Sequence, residues 1–159
     1  GADAIYVGGP GFSARSAAAN SVEDIGQLAR YAHLFGAKVY VALNTLFTDQ
    51  ELPVVLELCH QLYEVEVDAL IIQDTGLLML DLPPLELHAS TQMNNRSVEQ
   101  VRFWEDVGIR QVVLARELSL LEIARVRRIA HQMDPHAMVM ICDAAEVVGE
   151  GFTLPEDAN

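Results

Sequence analysis

Residues 39–45 read VYVALNT, an apolar run of five residues that ends in two polar ones. The same pattern recurs at 4–9 (AIYVGG), 69–74 (ALIIQD), 85–92 (LELHASTQ) and 112–117 (VVLARE). Short runs of aliphatic and β-branched residues are typical of parallel strands that are buried on both faces. Segments with helical spacing separate these runs, so the sequence predicts an α/β fold with a mainly parallel sheet.

The alternating pattern extends over most of the chain. It predicts six strands, near 4–8, 38–43, 68–73, 85–89, 111–115 and 137–142. It predicts helices near 22–35, 50–64, 75–80, 98–107 and 120–132. Repeats of this length suit a (β/α)₈ barrel as well as an open sheet. We expect a partial (β/α) barrel of the TIM type over residues 1–145, followed by an irregular tail over 146–159.

An incomplete barrel has consequences for association. Six strands are too few to close an eight-stranded barrel, so an isolated arc leaves apolar edge strands unpaired. Such edges favour pairing with another chain. We therefore expect self-association or exchange of elements between copies.

Polar residues follow the strands at the points where the strands end. The carboxyl ends of parallel strands lie on one edge of the sheet, where α/β folds bind their ligands. The residues that this rule brings together are Asn44, Gln73, Asp74, His88, Ser90, Thr91, Gln92, Arg116 and Glu117.

Residues 88–92 (HASTQ) form the densest polar cluster. Strand alternation places His88 and Ser90 on one face. His88 is a candidate general acid or base, and Ser90 or Thr91 is a candidate nucleophile. A hydrogen-bonded structural histidine and a ligand-contacting histidine are the alternatives. The chain has no G-x-S-x-G sequence, which would mark a nucleophile turn.

Other polar residues are candidates for binding substrate. Arg15 and Arg116 are the candidate anion-binding groups, since guanidinium pairs well with phosphate and carboxylate. The glycine-rich residues 8–12 either form a tight loop or bring Arg15 close to an anionic ligand; they lack the spacing of a phosphate-binding loop. The other candidate substrate-binding residues are Asn44, Gln73, Asp74, Gln92 and Glu117, for which salt bridges along the sheet edge are the alternative interpretation.

The composition narrows the class of protein. The chain of 159 residues is 51% hydrophobic, which indicates a globular protein. No apolar stretch is long enough to cross a membrane, and no signal peptide is visible, so we expect a cytoplasmic location. The net charge of −13 is unfavourable for binding a polyanion. Cys59 and Cys142 form neither a disulfide framework nor a metal motif, so we expect no metal site.

Five segments together resemble the U32, collagenase-like peptidase family. They are residues 1–15 (GADAIYVGGPGFSAR), 38–45 (KVYVALNT), 68–74 (DALIIQD), 87–92 (LHASTQ) and 113–118 (VLAREL). The resemblance covers roughly residues 1–125. Residues 81–88 (DLPPLELH) are similar to the branch that takes part in cytidine hydroxylation of large-subunit ribosomal RNA.

The resemblance implies an N-terminal barrel-like domain that lacks its first strand here. It also implies an iron–sulfur cluster in full-length members, with cysteine ligands that begin just after the sixth strand. This chain reads ICDAAE at 141–146, without those ligands. We therefore expect no cofactor in this chain, which would be a truncated product or a divergent copy.

The implied function is part of an RNA-modifying protein that hydroxylates cytidine in ribosomal RNA. The alternatives are a collagenase-like peptidase, with His88 and Ser90 as its polar pair, and a non-catalytic remnant that only binds a partner. In each case we expect RNA or peptide to bind only when the missing domains are present, and the chain alone to be inactive.

Overall fold

The computed structural model describes residues 2–14 and 20–133. The strands are β1 (Ala4–Gly8), β2 (Lys38–Leu43), β3 (Ala69–Ile72), β4 (Glu86–Ala89) and β5 (Gln111–Val112). The α-helices are α1 (Val22–His33), α2 (Leu52–Glu64), α3 (Val98–Asp106) and α4 (Leu120–Met133), and 3₁₀ helices cover Thr75–Met79 and Thr91–Met93.

The five strands form one parallel sheet in the order β1-β2-β3-β4-β5. Sequential order with helical crossovers is the arrangement of a barrel wall. The predicted α/β class and partial-barrel architecture are therefore confirmed. The predicted sixth strand, near 137–142, and the predicted tail at 146–159 lie outside the described residues.

Strand β5 is shorter than the sequence predicts. The apolar run indicated a strand over 111–115, but the ladder ends at Val112. The partner strand β4 gives way to the 3₁₀ helix Thr91–Met93, so the chain beyond Val112 has no continuous strand to pair with. Leu114 instead forms an isolated parallel bridge with Asn95.

Local sequence signals set the bounds of α1. The Ser21 hydroxyl accepts a hydrogen bond from the Asp24 N–H (3.1 Å), and the Asp24 carboxylate accepts one from the Ser21 N–H (3.1 Å). This reciprocal pair is the capping box that the sequence predicted. Gly36, which has a φ of +71°, follows the helix and permits the sharp turn into β2. None of the helices described is long and apolar enough to cross a membrane.

The sheet buries its two faces differently. Val39, Val41 and Leu43 point to the helical side, where they join the main core with residues of α1 and α2. Tyr40, Ala69 and Ile71 form a separate cluster on the opposite face. Strand alternation accounts for this separation, since successive side chains point to opposite faces.

The sheet is strongly curved, and the second face is its concave side. In a flat sheet, four spacings of about 4.8 Å would separate β1 from β5 by roughly 19 Å. In this structure the Gln111 amide of β5 donates a hydrogen bond to the Tyr6 hydroxyl of β1 over 3.2 Å. The rings of Tyr40 and His88 meet across β3 with a centroid distance of 4.7 Å. The sheet is therefore an arc of a barrel wall.

The glycine-rich loop after β1 is tight. The Gly9 N–H donates to the Ala42 carbonyl over 2.9 Å. A Cβ atom on Gly9 would lie 2.5 Å from Leu43 Cδ2, so a larger residue would clash with β2. The ring of Phe12 packs edge to face against Phe47 at 5.5 Å. These contacts favour the tight-loop interpretation; Arg15 lies outside the described residues.

Candidate functional site

The carboxyl ends of the strands bring most of the predicted polar residues to one edge of the arc, here called the rim. The rim comprises the described residues Asn44, Gln73, Asp74, Ser90, Thr91, Gln92, Arg116 and Glu117. His88 does not lie on the rim. It lies within β4, with its side chain on the concave face. Ser90 follows two residues later, just beyond the end of the strand.

Asn44 and Ser90 connect loops at the rim. The Asn44 Oδ1 accepts a hydrogen bond from the Ala14 N–H (3.0 Å), and its Nδ2 donates to the Ser90 hydroxyl (3.4 Å). Ser90 is only 2% exposed, and its hydroxyl also accepts from the Gln92 N–H (3.2 Å). Both side chains therefore hold the loops that form the rim.

Asp74 has a similar structural function. One carboxylate oxygen accepts a hydrogen bond from the Phe47 N–H, and the other accepts one from the Gly76 N–H, each over 2.8 Å. The first bond holds the loop between β2 and α2, and the second caps the 3₁₀ helix that begins at Thr75. Gln73 is half-buried beside it.

A shallow polar cleft lies at the β4–β5 end of the rim. It is lined by Thr91, Gln92, Asn94, Arg116 and Glu117. Glu117 lies 3.4 Å from the guanidinium of Arg96, which also donates to the Asn94 Oδ1 (2.6 Å). Arg116 is exposed, and within the described ranges no hydrogen bond or ion pair engages it. The cleft therefore contains the unpaired guanidinium of Arg116, three neutral polar side chains, and the carboxylate of Glu117, which pairs with Arg96.

His88 is the most buried titratable group of the concave face, with 1% exposure. Its Nε2 lies 3.6 Å from the Glu86 carboxylate, and its ring meets the edge of Tyr40. Burial lowers the pKa of His88, and the Glu86 carboxylate only partly opposes that shift. The imidazole is therefore neutral at pH 7.

The predicted pairing of His88 with Ser90 does not form. The Ser90 hydroxyl bonds to Asn44 and to the backbone of Gln92. Of the two ring nitrogens of His88, Nε2 faces Glu86, and Nδ1 has no hydrogen-bond partner in the part of the chain that the structure describes. A base must reach the proton that it removes, so this geometry gives Ser90 no base.

Asn95, which no sequence pattern singled out, is fully buried. Its Nδ2 donates to the carbonyls of Ser90 (2.9 Å) and Val113 (2.8 Å), and its Oδ1 accepts from the Trp104 indole N–H (2.9 Å). The side chain thus joins the ends of β4 and β5 to α3. A signal was available, because a buried tryptophan needs an acceptor for its N–H.

The concave residues around His88 were also missed. Tyr6 packs edge to face on Tyr40 at a centroid distance of 5.3 Å, and Tyr40 packs similarly on His88. Strand alternation could have placed Tyr6 and Tyr40 on the face that carries His88.

The described residues do not fit an iron–sulfur cluster. Residues 2–14 and 20–133 contain no group of three or more His, Cys, Asp or Glu side chains that could hold a metal ion. Cys59 is fully buried, and burial raises the pKa of its thiol to about 11. A cluster takes thiolate ligands, which this cysteine does not supply. Cys142 lies outside the described residues.

Comparison with known proteins gives consistent matches. The sequence profile of Peptidase family U32 matches residues 1–142. The 23S rRNA 5-hydroxycytidine C2501 synthase of Escherichia coli (strain K12) is 54% identical over 128 residues, which are 80% of this chain and 20% of that protein. The tRNA hydroxylation protein P of the same organism is 36% identical over 167 aligned residues, which are 100% of this chain and 37% of that protein.

A solved structure supports the fold. The U32 peptidase Mk0906 superimposes with a TM-score of 0.59 at 16% identity, over 79% of this chain and 56% of that one. At this identity the likeness establishes the barrel-type architecture alone. The chain spans well under half the length of the two named E. coli relatives. On the match over residues 1–142, the chain belongs to Peptidase family U32.

Proposed function

We propose that this chain is part of a protein that takes part in hydroxylating a cytidine of 23S ribosomal RNA. The observation that carries the proposal is the 54% identity to the E. coli 5-hydroxycytidine synthase, against 36% to the tRNA hydroxylation protein. A matched segment of 128 residues in a 159-residue chain must contain the central part, from Asn44 to Glu117. The rim therefore lies within the matched segment, and so do Tyr40 and His88 of the concave face.

We infer that the rim faces the RNA. The net charge of −13 makes most of the surface repel a polyanion. Arg116 is a guanidinium without a partner among the described residues, at the edge where barrels of this type bind ligands. Arginine contacts to phosphate position a nucleic acid without reading its sequence. Arg116 is accordingly the proposed phosphate contact, and Gln92 and Asn94 are its polar neighbours.

Hydroxylation of a base also needs redox chemistry, and the family resemblance implies an iron–sulfur cluster. Because the described residues do not fit a cluster, the proposal assigns its ligands to other parts of the whole protein. The proposal also places the protein with ribosomal RNA in the cytoplasm.

The peptidase alternative is less well supported. It would require His88 to activate Ser90, but the two side chains have different partners. The likeness to a U32 peptidase structure concerns the fold alone. We therefore do not assign proteolysis to this pair.

A chimera tests the proposal. In an E. coli strain that lacks the 23S rRNA synthase, the matched segment of that enzyme would be replaced by the corresponding residues of this chain. The expected result is that 5-hydroxycytidine returns at C2501, as measured by mass spectrometry of the digested ribosomal RNA. The matched control carries the equivalent segment of the tRNA hydroxylation protein, which we expect to restore little.

The outcome that would overturn the proposal is equally direct. If the chimera accumulates as a folded protein and C2501 stays unmodified, the chain does not support rRNA hydroxylation. If both chimeras restore the modification equally, the segment does not determine the RNA substrate.

A further inference from the structure

The positive charge of this acidic chain is concentrated in one region. Seven of its ten lysine and arginine residues lie within residues 96–128, where they outnumber five acidic residues. The rest of the chain carries 18 acidic residues and 3 basic ones. The net charge of the whole chain therefore does not describe this region, which is cationic and begins beside the rim. Clustered basic residues are typical of a surface that binds nucleic acid.

Helix α4 carries most of the unpaired positive charge in this region. Of the four α-helices described, only α4 has a positive net charge, of +2, against −1 for α1 and −2 for both α2 and α3. Its arginines are Arg125, Arg127 and Arg128, and all three are exposed. None of them has a hydrogen bond or an ion pair with any residue in 2–14 or 20–133. Their guanidinium groups are therefore available to an anionic partner.

The three arginines lie on two sides of α4. Residues three apart are neighbours on a helix surface, so Glu122, Arg125 and Arg128 follow one another along one side of the helix. Two residues cover about 200° of a helix, so Arg127 lies nearly opposite Arg125. The side that carries Arg125 and Arg128 is here called the arginine flank.

Contacts at the start of α4 place the arginine flank next to the rim. The Ser119 hydroxyl and N–H donate hydrogen bonds to the Glu122 carboxylate over 2.6 Å and 2.8 Å. These bonds lower the pKa of Glu122, and the positive charge of Arg96 lowers it further. The guanidinium of Arg96 also lies 3.4 Å from Glu117, which lines the polar cleft at the rim. Arg96 therefore lies close both to the cleft and to the side of α4 on which the arginine flank begins.

We propose that the arginine flank continues the RNA-binding surface from the rim along α4. Arg116 would contact one phosphate at the rim, and Arg125 and Arg128 would contact phosphates further along the same RNA. At a rise of about 1.5 Å per residue, Arg128 lies about 12 Å along the helix from Leu120. Such contacts hold an RNA segment in position without reading its sequence. This inference rests on the proposed function and names the surface that docks the RNA beyond the rim.

Salt-dependent binding to the chimera, built through Met133 so that it contains α4, tests this inference. The probe is a fragment of 23S rRNA that contains C2501, and fluorescence anisotropy measures its affinity at several salt concentrations. In the double variant Arg125→Gln, Arg128→Gln, the slope of log affinity against log salt should become shallower by roughly 1 for each arginine. The affinity itself should fall about fivefold, since two phosphate contacts are lost.

Two controls separate the arginine flank from a general effect of charge. The double variant Arg30→Gln, Arg110→Gln removes the same charge from exposed sites on α1 and at the start of β5. It should leave the slope and the affinity nearly unchanged. Arg127→Gln, on the opposite side of α4, should weaken binding less than Arg128→Gln does. Equal losses from these two single variants would overturn the assignment to the arginine flank.

Other outcomes would also overturn the inference. One is an unchanged slope and affinity in the double variant of the arginine flank, and another is an equal loss in the Arg30→Gln, Arg110→Gln control. A third outcome would show that the arginines pair with acidic residues of this chain instead. Urea unfolding of the 159-residue chain would then show that the double variant is less stable, while its affinity for RNA in the chimera is unchanged.

The two proposals fail separately. If the chimera with the double variant binds the RNA and hydroxylates C2501 as well as the unaltered chimera, the docking surface is wrong and the function stands. If the unaltered chimera does not hydroxylate C2501 but still binds the RNA through Arg125 and Arg128, the function is wrong and the docking surface stands.

Discussion

The Tyr6 hydroxyl and the Gln111 side-chain amide lie 3.2 Å apart, although they belong to the first and fifth strands of the sheet. Only a steep curvature can bring side chains from opposite edges of a five-stranded sheet within hydrogen-bonding distance. This curvature turns the inner face into a cup that contains Tyr40 and His88. It also gathers the carboxyl ends of β2 to β5 around one opening. The proposed RNA-facing surface is a consequence of this geometry.

The buried Asn95 is expected to be a main determinant of stability at the β4–β5 end. Asn95→Ala removes two hydrogen bonds to backbone carbonyls and leaves the Trp104 N–H buried without an acceptor. Lost bonds and unsatisfied groups of this kind together cost about 2–4 kcal/mol. Urea unfolding of the 159-residue chain measures the change, and Gln61→Ala on the exposed face of α2 is the control, with an expected change below about 0.5 kcal/mol.

A double-mutant cycle separates the hydrogen bond between the Trp104 indole and Asn95 from the two bonds that Asn95 donates to backbone carbonyls. Trp104→Phe removes the donor, so Asn95→Ala should cost less in that background than in the wild type. Strictly additive losses would contradict a direct interaction between the two side chains.

Much of the fold follows from local sequence signals. The apolar runs located every described strand, and the capping box at Ser21 and Asp24 located the start of α1. The length of β5 was wrong because it depends on where its partner strand ends. The contact between Tyr6 and Gln111 could not be predicted, since 105 residues separate them and only the barrel curvature joins them.

The site was predicted less completely than the fold. The rule that the carboxyl ends of parallel strands lie at one edge of the sheet placed the rim residues together. It does not show which of their side chains form hydrogen bonds with loop backbone. Asp74 is an example, because its two carboxylate bonds depend on loop conformations that no periodicity encodes. The use of His88, Ser90, Arg15 and the rim residues in binding or catalysis stays a prediction.

Stability should depend on pH through His88. Burial holds its pKa below the ordinary value of 6.5, so the unfolded chain binds a proton more readily than the folded one. The stabilisation that comes from keeping the buried imidazole neutral is fully present above pH 6.5. It is lost as the pH falls from 6.5 through the lowered pKa of the folded chain. The charged groups that influence this titration are Glu86 and Lys38, and the Tyr40 ring packs against the imidazole.

The comparison with His88→Phe isolates that contribution. The free energy of unfolding of the wild type, relative to the variant, should fall as the pH decreases below 6.5. His60→Gln should follow the wild type. A relative stability that rises on acidification would show that the sign is wrong.

Cys59 should be chemically inert in the folded chain. With a pKa of about 11, about one thiol in a thousand is ionised at pH 8, and the side chain is fully buried. In the Cys142→Ser variant, which leaves Cys59 as the sole thiol, a disulfide reagent should react slowly until denaturant is added. Fast reaction of the folded variant would contradict the burial.

The open sheet should promote association. Within residues 2–14 and 20–133, β1 pairs only with β2, and β5 pairs only with β4, so each has an edge that can accept another strand. Light scattering of the 159-residue chain should show a mass that increases with concentration. A monomer at every concentration would argue against exposed edges.

The central claim is that the rim, rather than the opposite end of the arc, faces the RNA. Two exposed arginines at opposite ends of the β5 segment provide a matched pair: Arg116 on the rim and Arg110 at the amino end. The most direct measurement is the fraction of C2501 hydroxylated by the active chimera when it carries Arg116→Gln or Arg110→Gln. The account predicts a decrease of about tenfold for Arg116→Gln, as expected for loss of a phosphate contact worth about 1.4 kcal/mol, and little change for Arg110→Gln. Equal fractions for the two variants, or a larger loss with Arg110→Gln, would contradict it.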